Sequence, residues 1–227
     1  DGIVSLDAQT SGGEISGFNQ HDRMVMGLLR AVADVVIVGV GTLRADLHHL
    51  WTADYIYPSL SAEYQQLRAN LKKSQPPLNV IVTGRGEIDL NLRVFQSGEV
   101  PVLIVTTTNG AHRIHERNLP QSVQVAAVEG TGLLSARAIL DAVGRARQSD
   151  ILLIEGGPHL MGNFFAEQCL DELSLTLAPQ IAGRDSSTER PGLVAGKIFA
   201  PERPLWSTLI GVKRGGSHLF LRYRLSR

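Results

Sequence analysis

Short runs of β-branched and aliphatic residues recur along the chain at Gly2–Leu6, Val35–Val38, Leu78–Thr83, Val102–Thr106, Val123–Val125 and Ile151–Ile154. Between most of them the apolar positions fall at the three- and four-residue spacing of a helix face, over His21–Val32, Ala62–Lys73, Ser135–Arg147 and His159–Cys169. In the third of these helices Ser135 is placed as an N-cap, and Ile139, Leu140 and Val143 share one side. Alternation of strand and helix predicts an α/β fold with a mostly parallel central sheet, because parallel neighbours need a crossover connection.

Past Asp171 the pattern changes. Glu172–Ala178, Ser207–Val212 and Leu219–Leu225 alternate apolar and polar residues, and Arg214-Gly215-Gly216 supplies a turn between the last two. An antiparallel C-terminal hairpin is therefore expected to join the sheet and make it mixed. The stretches 47–58 and 183–204 read as surface loops, the second being rich in Gly, Pro, Ser and charge. No linker, repeat or low-complexity tract divides the 227 residues, so 1–227 is expected to form one domain with a sizeable core.

Composition narrows the ligand class. Lys plus Arg equals Asp plus Glu at 22 each, which gives no reason to expect nucleic acid or an anionic membrane as partner and leaves a small molecule. Cys169 is the only cysteine, which excludes an intrachain disulfide and a cysteine-rich zinc site and fits a reducing, cytoplasmic setting. The apolar runs near 35–40 and 100–105 fall far short of the roughly 20 residues that span a bilayer.

The candidate chemistry sits at strand ends. Ile151-Leu-Leu-Ile-Glu155 runs into Gly156-Gly157-Pro158 and then a new helical pattern. Glycines there let the backbone approach a ligand, and Pro158 suits the first turn of a helix whose free N–H groups attract phosphate. Asp34-Val-Val-Ile-Val-Gly39-Val-Gly41-Thr42 has the same design, followed by a carboxylate at Asp46. A third strand empties into Thr83-Gly84-Arg85-Gly86, where Arg85 is suited to the extra 2′-phosphate that separates NADP from NAD. Arg44 stands where a Rossmann fingerprint needs its third glycine, and no Walker motif is present. His48 and His49 are adjacent, so in an extended segment their side chains point apart, and no metal site is expected.

These motifs, in this order, resemble the reductase half of the bifunctional deaminase-reductase of riboflavin biosynthesis, the RibD C-terminal family. The resemblance covers nearly the whole chain: Ser5-Leu6-Asp7, Leu29-Arg30-Ala31, Asp34 to Thr42, Asp46, Glu155 to Gly162, Leu170 to Leu173 and Ala178 to Gly183. It implies a dihydrofolate-reductase-like, three-layer α/β fold, a homodimer, and NADPH-dependent reduction of a ribosylamino-pyrimidine phosphate to its ribitylamino product. Carried over residue by residue, it implies NADPH against Gly39, Gly41, Thr42, Asp46, Thr83, Gly84, Arg85, Gly157, Pro158, His159, Leu160, Met161, Gly162 and Asn163. Substrate is implied near Ser16, Arg30, Leu50 and Glu155, with Asp46 and Glu155 as the carboxylates nearest the chemistry.

The chain departs from the family in two places. After Asp46 the family motif runs to an arginine that helps bind substrate phosphate, and Ala53 stands there; near the start, Gly12-Gly13-Glu14 puts a carboxylate in the family's Gly-x-Ser segment. Two alternatives stay open: a paralogous NADPH reductase of a folate, pterin-like or other heterocycle, and a nucleotide-binding protein without catalysis. The deaminase half needs a His-x-Glu and Pro-Cys-x-x-Cys zinc signature, which one cysteine excludes from this chain.

Overall fold

A computed structural model of the protein describes residues 2–6, 12–185 and 190–226. Asp7 of the family motif and part of the 183–204 segment lie outside the described residues. The chain divides into two compact units, one made of Asp1–Asp22 with Pro158–Arg227, the other of Arg23–Gly157. The first segment carries the short helix α1 (Gly12–Ser16), and α2 (Gln20–Val32) runs from it into the second unit.

That second unit holds β1 (Val35–Gly39), α3 (Val40–Ala45), α4 (Ala53–Ile56), α5 (Ser61–Asn70), β2 (Leu78–Thr83), α6 (Arg93–Gln96), β3 (Val102–Thr107), α7 (Thr108–His115), β4 (Val123–Val128), α8 (Ala136–Ala146) and β5 (Leu152–Ile154). The five strands form one parallel sheet in the order β4-β3-β2-β1-β5. Every residue of β2 and β3 is buried, which is why these strands read as unbroken apolar runs. Val36, Val38, Ile81, Ile104 and Phe95 anchor the core, each buried aliphatic or aromatic side chain contributing about 1.5–3 kcal/mol.

Asp34 ties the strand starts together. Its carboxylate accepts the amides of Asp150 and Ile151, each at 3.0 Å, and the Lys73 ammonium. Burial alone would raise this carboxyl's pKa; Lys73 and the two amides outweigh it and hold it below its ordinary value. Helix α5 docks through Tyr64, whose hydroxyl donates to the Met24 carbonyl at 2.8 Å, and through Arg68, which donates to the carbonyls of Ala31 and Ala33, both at 2.9 Å.

The other unit contains α9 (Pro158–Ala166), β6 (Glu172–Leu177), β7 (Ser207–Gly215) and β8 (His218–Leu225). The three strands pair antiparallel in the order β6-β8-β7. The expected hairpin exists, with Gly216 in the left-handed region at φ 61°, but these strands form a sheet of their own instead of extending the parallel one. The expected strand Gly2–Leu6 reduces to a single bridge from Ile3 to Gly192 and a bond from the Val4 amide to the Pro191 carbonyl. Pro191 has no N–H, so the ladder has no return bond with which to continue. No helix among the described residues is long and apolar enough to cross a membrane.

Candidate active site

Strand order reverses between β1 and β5. From β1 the chain adds β2, β3 and β4 on one side and then returns to place β5 on the other. At such a reversal the carboxyl ends of the two neighbouring strands open onto a crevice, the common ligand position in open α/β sheets.

Glycines line both ends of that crevice. The Gly39 amide donates to the Gly156 carbonyl at 3.1 Å, and Gly156 sits at φ 111°, a backbone conformation that side chains disfavour. The Gly157 amide donates to the Thr42 hydroxyl at 3.2 Å. Thr42 keeps its own proton to donate, which suits a phosphate or carbonyl oxygen. A Cβ added at Gly41 would meet nothing within 4 Å. After Gly157 the chain passes directly into α9, whose first-turn amides have no intrahelical acceptor. Leu160, Met161, Gly162 and Asn163 are buried, and a Cβ at Gly162 would stand 2.8 Å from the Ala195 carbonyl.

The end of β2 carries the third predicted turn. Thr83 is buried, and a Cβ at Gly84 would stand 1.9 Å from the Gly132 carbonyl, so glycine is a packing requirement there. Arg85 is 78% exposed, 3.9 Å from Glu87; Arg113 reaches the same carboxylate at 3.2 Å and Arg44 donates to the Glu87 backbone carbonyl at 2.8 Å. Two guanidinium groups thus share the Glu87 carboxylate, and a third holds its backbone carbonyl.

Asp46 caps the C-terminal end of α3, where a negative charge opposes the helix dipole. His49 relieves it: its Nδ1 lies 2.8 Å from Asp46 Oδ2, while the ring packs against Trp51 and Tyr55 with centroids 5.0 and 4.8 Å away. An ionised carboxylate only accepts, so Nδ1 carries the proton and the buried Nε2, which has no partner, is a bare lone pair. Burial, with the Arg30 charge next, keeps this imidazole below its ordinary pKa, against the opposing pull of Asp46. The turn after α3, and not an extended segment, brings Asp46 to His49, and the Asp-x-x-His spacing is the sequence signal for that pair. Among the described residues no group of three or more His, Cys, Asp or Glu side chains is placed to hold a metal.

Arg30 and Glu155 meet in a pair closed on itself. Arg30 donates Nε to Oε1 and Nη2 to Oε2, both at 2.7 Å, and its Nη1 donates to the carbonyls of Leu50 at 3.4 Å and Thr52 at 3.3 Å. The two side chains are 3% and 6% exposed, and the Leu50 side chain belongs to the core. Glu155 retains lone pairs on each oxygen, whereas the guanidinium is largely committed. Ser16, in the other unit, is buried at the end of α1, donating to the Gly13 carbonyl at 3.2 Å and accepting from His218 Nε2 at 3.0 Å through its own carbonyl.

Residues 1–204 match the RibD C-terminal domain. The chain belongs to the RibD C-terminal domain family. Among its relatives is a 2,5-diamino-6-ribosylamino-4(3H)-pyrimidinone 5′-phosphate reductase from Archaeoglobus fulgidus, 28% identical over 170 residues that cover 74% of this chain and 73% of that protein. Riboflavin biosynthesis protein RibD of Aquifex aeolicus is 25% identical over 173 residues, 74% of this chain but only 41% of RibD, so the chain spans well under half of that longer relative. A pyrimidine reductase-like protein from Corynebacterium diphtheriae matches with a TM-score of 0.75 at 21% identity, covering 96% of this chain and 85% of that one. The riboflavin biosynthesis reductase of Saccharomyces cerevisiae matches with a TM-score of 0.63 at 16% identity, covering 92% and 82%. At these identities the structural likeness establishes the fold, the dihydrofolate-reductase-like α/β arrangement that the motifs implied.

The RibD C-terminal domain reductases are expected to hold a nicotinamide dinucleotide, and the residues present fit one. Close backbone approach at Gly39, Gly156 and Gly157, a hydroxyl donor at Thr42 and open space beside Gly41 are what a pyrophosphate-bearing cofactor needs.

Proposed function

We infer that the chain reduces a ribosylamino-pyrimidine phosphate to its ribitylamino product with NADPH, the chemistry printed in the name of its Archaeoglobus relative being the guide to substrate. The glycine-lined crevice where strand order reverses, between Gly39 and Gly156-Gly157, carries the reading. A bound nicotinamide supplies the hydride; the protein's own part is to bind, orient and exclude water.

Thr42 and the Gly156-Gly157 turn serve the cofactor's phosphates in this reading, and Arg85, with Arg113 beside it, supplies the positive surface that favours a 2′-phosphate and hence NADPH over NADH. Asp46, its Oδ2 fixed by His49, presents its other oxygen to a ribose hydroxyl or carboxamide. Glu155, fixed by Arg30, accepts from substrate amino or hydroxyl groups at the strand mouth. Reduction of the ring-opened ribosyl group also needs a proton, which water supplies in this reading. The chain acts as a homodimer in this reading, through the antiparallel sheet.

The test is a titration with NADPH against NADH, followed by absorbance loss at the nicotinamide band on adding the ribosylamino-pyrimidine phosphate and, separately, dihydrofolate. Selective NADPH binding with turnover of the first substrate is expected. Turnover of dihydrofolate alone would move the substrate to a pterin, the alternative favoured by Ala53 in place of the family's arginine; binding without turnover of either would sink the reductase reading.

A further inference from the structure

A cleft of about 880 Å³ opens in the 23–157 unit, away from the strand reversal. Its walls come from residues 50–58, from α5 with the turn that follows it, and from the segments leading into β2 and β3. Five cationic side chains and two carboxylates face it, but most of that charge is cancelled. Arg30 is held by Glu155, Lys73 by Asp34, and Arg93 by Glu99 at 2.9 Å.

Two cations remain. Arg68 is bound only through neutral carbonyl oxygens, those of Ala31, Ala33 and Gln75, and Lys72 is exposed with no carboxylate within ion-pair distance among the described residues. Opposing them is Asp54, whose Oδ2 takes a long 3.5 Å bond from Gln65 and whose Oδ1 is buried without any partner. A buried carboxylate oxygen left bare is costly and calls for a donor. The charge pattern is thus specific: two cations with no carboxylate in ion-pair contact among the described residues, suited to a phosphate monoester, and beside them one acceptor suited to a hydroxyl.

We propose that this cleft binds the ribosyl-phosphate end of the substrate, with Lys72 and Arg68 taking the phosphate and Asp54 a ribose hydroxyl. The proposal rests on the substrate class inferred above and assigns it residues from α5 and its following turn. Arg30 connects the two places, since it faces the cleft while pairing with Glu155, the residue before Gly156 at the strand reversal. A substrate with its pyrimidine near Glu155 has its phosphate directed past Arg30 into the cleft. Ala53 also faces this space, so in this proposal the charge that the family motif places on that residue is supplied from α5 and the turn after it.

The experiment is calorimetric titration of the protein with ribose 5-phosphate, ribose and inorganic phosphate, on wild type, Lys72→Met and Arg68→Gln, with circular dichroism melts to check folding. Lys72 is exposed, so Lys72→Met keeps the test open if Arg68→Gln fails to fold. Ribose 5-phosphate should bind and ribose should not, and Lys72→Met should weaken the sugar phosphate about tenfold, the equivalent of one charge-assisted hydrogen bond. Equal affinity for ribose and its phosphate, or unchanged affinity in a folded Lys72→Met, overturns the proposal. Inorganic phosphate should compete with substrate; Lys72-dependent phosphate binding that does not compete assigns the cleft to a free anion and overturns the substrate assignment. Absence of turnover in wild type would count against the reductase reading, while the sugar-phosphate titrations still decide the cleft.

Discussion

Arg30 and Glu155 illustrate how a buried pair constrains its own replacement. Removing one partner strands the other charge, a loss of about 3–5 kcal/mol, whereas replacing both can cost little. Glu155→Gln is therefore expected to lower unfolding free energy by about 3 kcal/mol and to cut turnover while NADPH affinity stays near wild type; an Arg30→Met, Glu155→Leu double variant should lose less than the two single changes summed, as read from denaturant midpoints. His49 sets a pH dependence. Its folded pKa lies below 6.5, so on acidification the unfolded chain takes a proton that the folded one refuses. Stability should then fall as pH drops through about 6.5, by at most about 1.4 kcal/mol per pH unit for this group, and level off at its folded pKa. Urea midpoints measured down to about pH 5 should show a shallower decline in His49→Gln. Arg85→Ala should weaken NADPH about tenfold and leave NADH unchanged, since only the former has the 2′-phosphate to lose. Gly156, Gly157 and Thr42 were legible in the sequence because glycine and hydroxyl positions are fixed relative to the strand ends that precede them. The Arg30–Glu155 pair was not: its partners lie 125 residues apart, and the same two residue types would serve a ligand equally well.

At the scale of elements, α5 is held by a glycine. A Cβ on Gly27 of α2 would stand 2.6 Å from the Tyr64 hydroxyl oxygen, and Tyr64 is buried and bonded to Met24. Alanine in a helix normally gains up to about 1 kcal/mol over glycine, but overpacking costs about 1–3 kcal/mol, so the clash wins. Gly27→Ala should lower the melting temperature by a few degrees, and by displacing α5 it should also weaken ribose 5-phosphate. Elements with strong periodicity were legible to within a few residues: Leu78–Thr83 matches β2, and Ser135 caps α8 by accepting the Ala138 amide at 3.4 Å. Short helices were missed. Helix α4 lies inside the expected 47–58 loop, started by the Thr52 hydroxyl, and α7 begins within a Thr-Thr-Thr-Asn-Gly run that reads as a turn until Thr107 is seen capping the Gly110 amide at 3.1 Å. A cap of one side chain outweighs weak propensity when the helix is only two turns long.

At the scale of the molecule, β7 is an edge strand with apolar residues left outside: Leu209 is 49% and Val212 53% exposed, and Trp206 just before it is exposed as well. Such an edge invites pairing, here assigned to a second copy. Sedimentation velocity should give a dimer for wild type and a monomer for Val212→Lys; a wild-type monomer at micromolar concentration would remove the homodimer from the proposal. That the antiparallel strands form their own sheet was not legible, because alternation along a strand reports which faces are wet and not which neighbour it joins. The division into units has a further consequence. Residues 23–157 are continuous in sequence, whereas the other unit joins two segments that lie far apart along the chain. Ile3 must wait for Gly192, and Ser16 for His218, 202 residues later. That unit can therefore close only after the 158–227 segment has been made, and its long-range pairings are slow ones to form.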